Sequence, residues 1–168
     1  MNAKTLVLLM SFILLNGCQP KTPRLLQNFT LKGAIAAKSA KKIWTAHLIW
    51  QYTNSKNYQI TLIGPINSKT VFIQNKQGVI TYEEGRKKLI TNDPNTLLEK
   101  NAGIKLPLDA LLYWIQGQPA PQSSPQNNYK ISYPAYSNTP KGQLPQKIHI
   151  EGDHLSVKLF IKTWHFNS

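Results

Sequence analysis

The chain of 168 residues has one cysteine, seven acidic residues against twenty Lys and Arg, and no apolar run long enough to cross a bilayer as a helix. Each shortage excludes something. A lone thiol excludes an internal disulfide framework, so the fold must be held by a buried core. One domain's worth of chain can bury such a core without cross-links. The seven acids offer no evident pair of carboxylates for general acid–base work. The four histidines (His47, His149, His154, His165) lack HExxH or any similar ligand spacing, so they read as strand residues and not as metal ligands. There is no GxSxG elbow, no glycine-rich phosphate loop and no second cysteine for a redox pair. The sequence therefore favours binding over catalysis, and no cofactor is expected.

The charge that is present is basic. The formal net charge is +13. In a cytosolic protein this would suggest nucleic acid. The charged start at Lys4 and the short apolar run Leu6 to Leu15 mark the chain for export, and an exported chain rarely meets nucleic acid, so none is expected as a partner. Two readings stay open: an anionic surface, either phospholipid headgroups or an acidic protein, or a solvated face that keeps the domain soluble. The scatter of Lys38, Lys41, Lys42, Lys56, Lys69, Lys76, Lys87 and Lys88 suits the second as well as the first.

After a polar tether with Pro20 and Pro23, period-two patterning dominates. It predicts strands over residues 28–38, 45–52, 58–63, 69–74, 78–82 and 86–91, several of them in hairpins. The centre differs. Asp93-Pro94 is a helix start, with helix expected over 95–102. LDALLYWIQ, residues 108–116, predicts a second helix led in by Pro107 and stopped by Gly117. Its apolar residues Leu108, Leu111, Leu112, Trp114 and Ile115 cover most of its circumference, so it is expected to be covered. Strands resume at 129–133, 146–151 and 155–166. This is an antiparallel meander that curls, with a helix across its open side. The aromatics and lysines near Tyr129–Tyr136 read as sheet-face residues.

The start of the chain resembles a bacterial lipoprotein signal. Lys4 gives the charged region, Leu6 to Leu15 the short apolar run, and LNGC (Leu15 to Cys18) the cleavage box. The resemblance implies cleavage before Cys18, a diacylglyceryl thioether on its sulfur and acylation of its new amino group. Several acyl chains would anchor the protein firmly. Gln19, in place of an aspartate, implies sorting to the outer membrane. Loss of Lys4 with the signal leaves the mature chain at +12. The expected organisation is a signal over 1–17, a lipidated tether over 18–28 and one domain over 29–168.

Three further stretches resemble the family of the outer-membrane lipoprotein receptor LolB: WQYTNSKNYQITLIGPINS (50–68), GIKLPLDALLYWIQGQPAP (103–121) and LPQKIHI (144–150) with a closing strand through Trp164. The resemblance implies an incomplete, strongly curved antiparallel β-barrel covered by short helices, with an apolar cavity beneath. It implies a monomer that takes acylated lipoprotein cargo from the periplasmic carrier LolA and delivers it to phospholipid of the inner leaflet of the outer membrane. The loop Pro65-Ile66 would take part in membrane insertion, and an aliphatic loop-tip residue between Pro65 and Asn67 is where a core residue would not be. One face of each strand can line such a cavity or an ordinary closed core, and the sequence does not separate the two; the acyl-cavity residues expected are Trp50, Ile60, Leu62 and Phe72, with Leu111, Leu112 and Ile115 from the lid. Compared with the family pattern, the segments before the first strand and after the lid are short, which implies a shallower cavity. Two rivals remain: a non-enzymatic envelope lipoprotein that tethers or scaffolds another complex, and a lipid-modifying or cell-wall enzyme, which would need a catalytic cluster assembled in space.

Overall fold

The computed structural model describes residues 25–40, 42–65, 68–94, 97–99, 106–121, 128–152 and 154–167. Alternation of apolar and polar residues makes nine strands among them. They are β1 (Phe29–Lys38), β2 (Ile43–Asn54), β3 (Asn57–Ile63), β4 (Thr70–Lys76), β5 (Val79–Glu84), β6 (Lys87–Thr91), β7 (Lys130–Thr139), β8 (Gly142–Gly152) and β9 (Leu155–Phe166). All pair antiparallel in one sheet of order β6-β5-β4-β3-β2-β1-β9-β8-β7. This is the open, curved barrel wall that the sequence predicts.

The order explains the lid. β1 to β6 form a meander that ends at one sheet edge, and β7 to β9 form a second meander that begins at the other. The chain between β6 and β7 must therefore pass from edge to edge. It does so with helical residues at 94 and 97–99 and with the helix α1 (Leu108–Trp114). Crossing over the concave face buries both the helix and the face it covers.

Register sets which residues turn inward. One row crosses six strands through the pairs Tyr82–Ile73, Ile73–Ile60, Ile60–Trp50, Trp50–Leu31 and Leu31–Trp164. The first five side chains are all buried. Against them pack Leu97, Leu98, Leu106, Leu108, Leu111, Leu112, Trp114 and Ile115 from the covering segment. Burial of side chains of this size contributes about 1.5–3 kcal/mol each.

α1 starts after Pro107 with the N–H of Leu111 donating to the Pro107 carbonyl at 2.9 Å. It ends because Gly117, at φ 70°, reverses the chain. The N–H groups of Gln118 and Gly117 then donate to the carbonyls of Tyr113 and Trp114 at 3.0 Å each. This pair of bonds is a Schellman cap, which a left-handed glycine makes possible. The helix expected through Gln116 thus gives way to a turn after Trp114.

Several strands exceed the sequence expectation, among them β2, β7 and β8, which starts at Gly142 and not at 146. β2 begins at Ile43, so Trp44 belongs to it. β7 runs on through Pro134, which the sequence reading treats as a stop. Proline is tolerated there because β7 is an edge strand whose pairing with β8 shifts between Ser132 and Ala135.

Candidate functional site: an apolar cavity under the lid

The inner face and the covering segment enclose a cavity of about 30 Å³ with no polar wall. Ile35, Leu48, Trp50, Ile60 and Ile73 line it from the sheet, and Leu98, Leu106, Leu108 and Leu111 from above. At one end lies an open cleft of about 550 Å³, bounded by Lys42, Val71, Lys69, Tyr82 and Glu84. Trp44, Leu62 and Leu98 border both spaces. They form the neck between an exposed mouth and an apolar interior.

The opposite end is closed by stacked rings. Phe29 lies 5.1 Å from Tyr52 and 5.1 Å from Trp164, and Tyr58 packs 6.3 Å from Trp50 and 6.4 Å from Tyr52. These residues come from the start of β1, the end of β2, the start of β3 and the end of β9. The cleft is built from the other ends of β2 and β3, with the start of β4 and the end of β5. The neck of the cavity therefore leads to a cleft beside Gly64 and Pro65.

Burial also sets the titration behaviour of this wall. Desolvation pushes the hydroxyls of Tyr52, Tyr58 and Tyr82 up to about 12. Tyr113 and Tyr58 act in the same direction on Tyr52, and Glu84 on Tyr82. Asn75 opposes the shift at Tyr58 by hydrogen bonding. The Tyr82 hydroxyl donates to Glu84 Oε2 at 3.2 Å. These tyrosines are neutral at physiological pH, so the wall carries no charge.

The expected cavity residues divide. Trp50, Ile60, Leu62 and Leu111 line the cavity, and Pro65 lines its mouth. Leu112 and Ile115 are buried in the core cluster but do not line this cavity. Phe72 is a correction. It pairs with Thr61 on the outer face of the sheet and is 42 % exposed, while its neighbour Ile73 points inward at 1 %. Cys18 and Ile66 lie outside the described residues. Trp44, Leu98 and Leu106 are wall residues that the sequence reading missed. Trp44 was within reach, because it shares the parity of Ala46, Leu48 and Trp50 once β2 is extended by two residues.

Among the described residues, four side-chain nitrogens are buried without a hydrogen-bond partner: Nε1 of Trp44, Trp50 and Trp164, and Nε2 of Gln116. Among the described residues no group of three or more His, Cys, Asp or Glu could hold a metal ion, and no helix is long and apolar enough to cross a membrane. The chemistry on offer is enclosure of an apolar chain.

Comparison with known proteins agrees with this geometry. Residues 27–164 match the family model described as outer membrane lipoprotein LolB. The outer-membrane lipoprotein LolB of Pseudomonas fluorescens is 29% identical over 156 residues, covering 83% of this chain and 75% of that protein. Those of Pseudomonas aeruginosa and Yersinia pseudotuberculosis are each 26% identical, over 154 and 157 residues, with the same coverage. The match spans the sheet, the covering segment and the closing strand, and the chain belongs to the LolB family of outer membrane lipoproteins.

Proposed function

We propose that this chain is the outer-membrane receptor for lipoproteins in transit. It accepts acylated cargo from the periplasmic carrier LolA and passes it to the inner leaflet of the outer membrane. One observation carries the reading: an all-apolar cavity under a lid, whose neck leads to an open cleft beside Pro65. Each acyl CH₂ moved from water to such a wall contributes about 0.8 kcal/mol. Transfer then requires only that the chains bind better here than in the carrier, and better still in the bilayer. No nucleotide or metal enters this scheme, and the protein acts by binding and not by catalysis.

The finer assignments follow from it. Cys18 carries the lipid anchor that holds the protein to the membrane facing the periplasm. Ile66, next to Pro65 at the mouth, dips into the acyl boundary of the bilayer, where an aliphatic tip enters at little cost. Trp50, Ile60, Leu62 and Leu111 hold the acyl chains. The protein works as a monomer, and phospholipid is the surface to which it delivers.

The test starts from the carrier loaded with a labelled lipoprotein. It is mixed with this protein bearing Cys18→Ala, and transfer is scored by co-purification. Liposomes are then added, with Ile66→Glu run in parallel. Transfer in both forms, with insertion lost only in Ile66→Glu, is expected. A folded protein that takes no cargo would favour a tethering lipoprotein.

A further inference from the structure

A second hollow lies on the outer face of the sheet, a groove of about 480 Å³ along β1 that acyl transfer does not use. Register explains it. One row of outward residues runs through Ile63, His47, Ala34, Phe160 and Lys147, across β3, β2, β1, β9 and β8. The next row, nearer the mouth, runs through Thr45, Ala36, Lys158 and His149. Ala34 and Ala36 are short and their neighbours on both sides are longer. The small residues of β1 therefore make the floor, and the flanking strands make the walls.

Three basic side chains crowd one wall. His149 stands directly opposite Lys158, and Lys147 is two residues from His149 on the same face. Basic groups set opposite each other do not stabilise a sheet. Among the described residues, none of the three has an ion pair or a side-chain hydrogen bond. Glu151, two residues beyond His149, lines a separate recess with Lys38. An anion between the three would answer all of them, and lysine ammonium groups beside an imidazole N–H suit a phosphate. The surroundings decide which phosphate. Phe160 is 42 % exposed, Ile63 39 %, and Ile43, at the same rim, 70 %. Cations beside exposed apolar side chains suit the boundary between lipid headgroups and acyl chains, where both find a partner. An acidic protein would answer the charges alone. Height agrees with this. Ile63 ends β3 and lies in the first row, so the loop opening at Gly64-Pro65 starts level with the groove. Pro65 lines groove and cleft alike.

We propose that this groove seats the phosphate of an anionic membrane phospholipid, held by Lys147, His149 and Lys158. This rests on the reading that the mouth beside Pro65 meets the bilayer, and deepens it. A headgroup held on the outer wall turns the mouth toward the bilayer surface before cargo leaves.

The test uses the protein bearing Cys18→Ala, so that no acyl anchor masks the contact. Co-sedimentation measures its binding to vesicles of phosphatidylcholine alone and of phosphatidylcholine with phosphatidylglycerol. A lysine near an anionic surface strengthens binding about fivefold, so Lys147→Gln with Lys158→Gln is expected to weaken binding to the anionic vesicles about twentyfold. Lys56→Gln with Lys76→Gln removes the same charge at exposed positions at the opposite end of the sheet. That pair is expected to weaken binding about twofold at most, because distant charges are screened. Imidazole proton resonances then locate the contact. Dihexanoyl phosphatidylglycerol, added below its micelle concentration, should shift His149 and leave His154 and His165 in place. Glycerol phosphate should do so only at far higher concentration; an equal response to both would assign the groove to a free phosphate ester and overturn the lipid. Equal losses in the two lysine pairs, or shifts at all three histidines, would reduce the groove to general basicity and overturn the proposal. Unchanged vesicle binding with impaired uptake from the loaded carrier would assign the groove to an acidic protein and overturn it too. Failure of the receptor reading is a separate result: the parent would take no cargo from the carrier, while His149 would still respond to the dissolved lipid.

Discussion

The backbone N–H of Leu26 donates to Oε1 of Gln116 at 2.6 Å, joining the segment before the first strand to the turn that ends the lid helix. The residues lie ninety positions apart. Gln116 is 5 % exposed and is one of few buried polar residues. Its role is to accept a bond that would otherwise leave a backbone donor unpaired beside apolar Leu25 and Leu26, which pack on the core. Gln116→Leu should therefore cost about 1–3 kcal/mol, the penalty of an orphaned buried donor. Urea unfolding measures the loss. Limited proteolysis should cut near Leu25 and Leu26 faster in the variant, whereas a cut elsewhere would place the weakness in the lid.

Gly33 is required by the approach of β9. A Cβ there would run into the carbonyl oxygen of Phe160. The register between β1 and β9 shifts between Lys32 and Gly33, where β9 carries an extra residue and bends against β1. Neither partner is a flexible side-chain end, so backbone would have to move. Gly33→Ala is expected to destabilise by about 1–3 kcal/mol, in the range of overpacked interiors, with a lower urea midpoint and an unchanged slope. Stability equal to the parent would mean that the bulge relaxes freely.

Exchanging faces on β4 tests the corrected register. The run Val71-Phe72-Ile73 is apolar at three successive positions, so alternation within it names neither face. Pairing decides it: Ile60 lies opposite Ile73 and Thr61 opposite Phe72. Ile73→Ala should cost about 2–5 kcal/mol as a core truncation. Phe72→Ser should cost about 1 kcal/mol or less and leave fatty-probe binding intact. A larger loss in Phe72→Ser would reverse the assignment.

The same logic marks what the sequence could show. β9, Leu155–Phe166, is legible because Leu155, Val157, Leu159 and Ile161 hold one parity over seven residues, with only Phe160 apolar on the other face. α1 is legible from Pro107 and Gly117 at its ends. The inward side of β4 is not, since a run apolar on both faces is decided by its neighbours. The neck was missed for a related reason. Trp44 follows exposed Ile43 and precedes Thr45, so the local pattern looks like a strand beginning and not like a wall. Leu98 and Leu106 become wall residues only because the β6-to-β7 crossing carries them over the sheet, and that is a property of topology.

Alkaline pH should unfold the protein within a defined window. Tyr52, Tyr58, Tyr82 and Tyr133 are each pushed up by burial to about 12, from an ordinary value of 10.0. The unfolded chain releases these protons first, so it binds fewer protons than the folded state as pH passes 10. Stability then falls with rising pH. The contribution is fully present below pH 10 and is lost as pH rises through 12. Stability against urea should be insensitive to these groups near neutrality and decline from pH 10 upward. Tyr52→Phe keeps the ring stacked on Phe29 and removes one titrating group, so it should flatten the decline. An equally steep decline in Tyr52→Phe would assign the alkaline transition to other residues.

The closed cavity is too small for its proposed ligand, and this dictates motion. A space of about 30 Å³ is of the order of one water molecule's share of the liquid, whereas an acyl chain is many methylenes long. The sheet is a continuous hydrogen-bonded ladder and cannot widen without breaking pairs. The covering segment is not part of that ladder, so it is the part that must yield. Leu111, buried at 4 % on the cavity side of α1, reports that opening. Cys18 is the only cysteine, so Leu111→Cys in a Cys18→Ser background gives a single buried thiol. Its reaction with a thiol reagent in native buffer should be slow, yet faster than global unfolding permits, because local opening costs less than complete unfolding. Saturation with a fatty ligand should change that rate while leaving labelling of Lys141→Cys, at an exposed position in the turn between β7 and β8, unchanged. A labelling rate equal to the global unfolding rate would mean that the lid opens only when the whole sheet does, and loading would then need the carrier to force it.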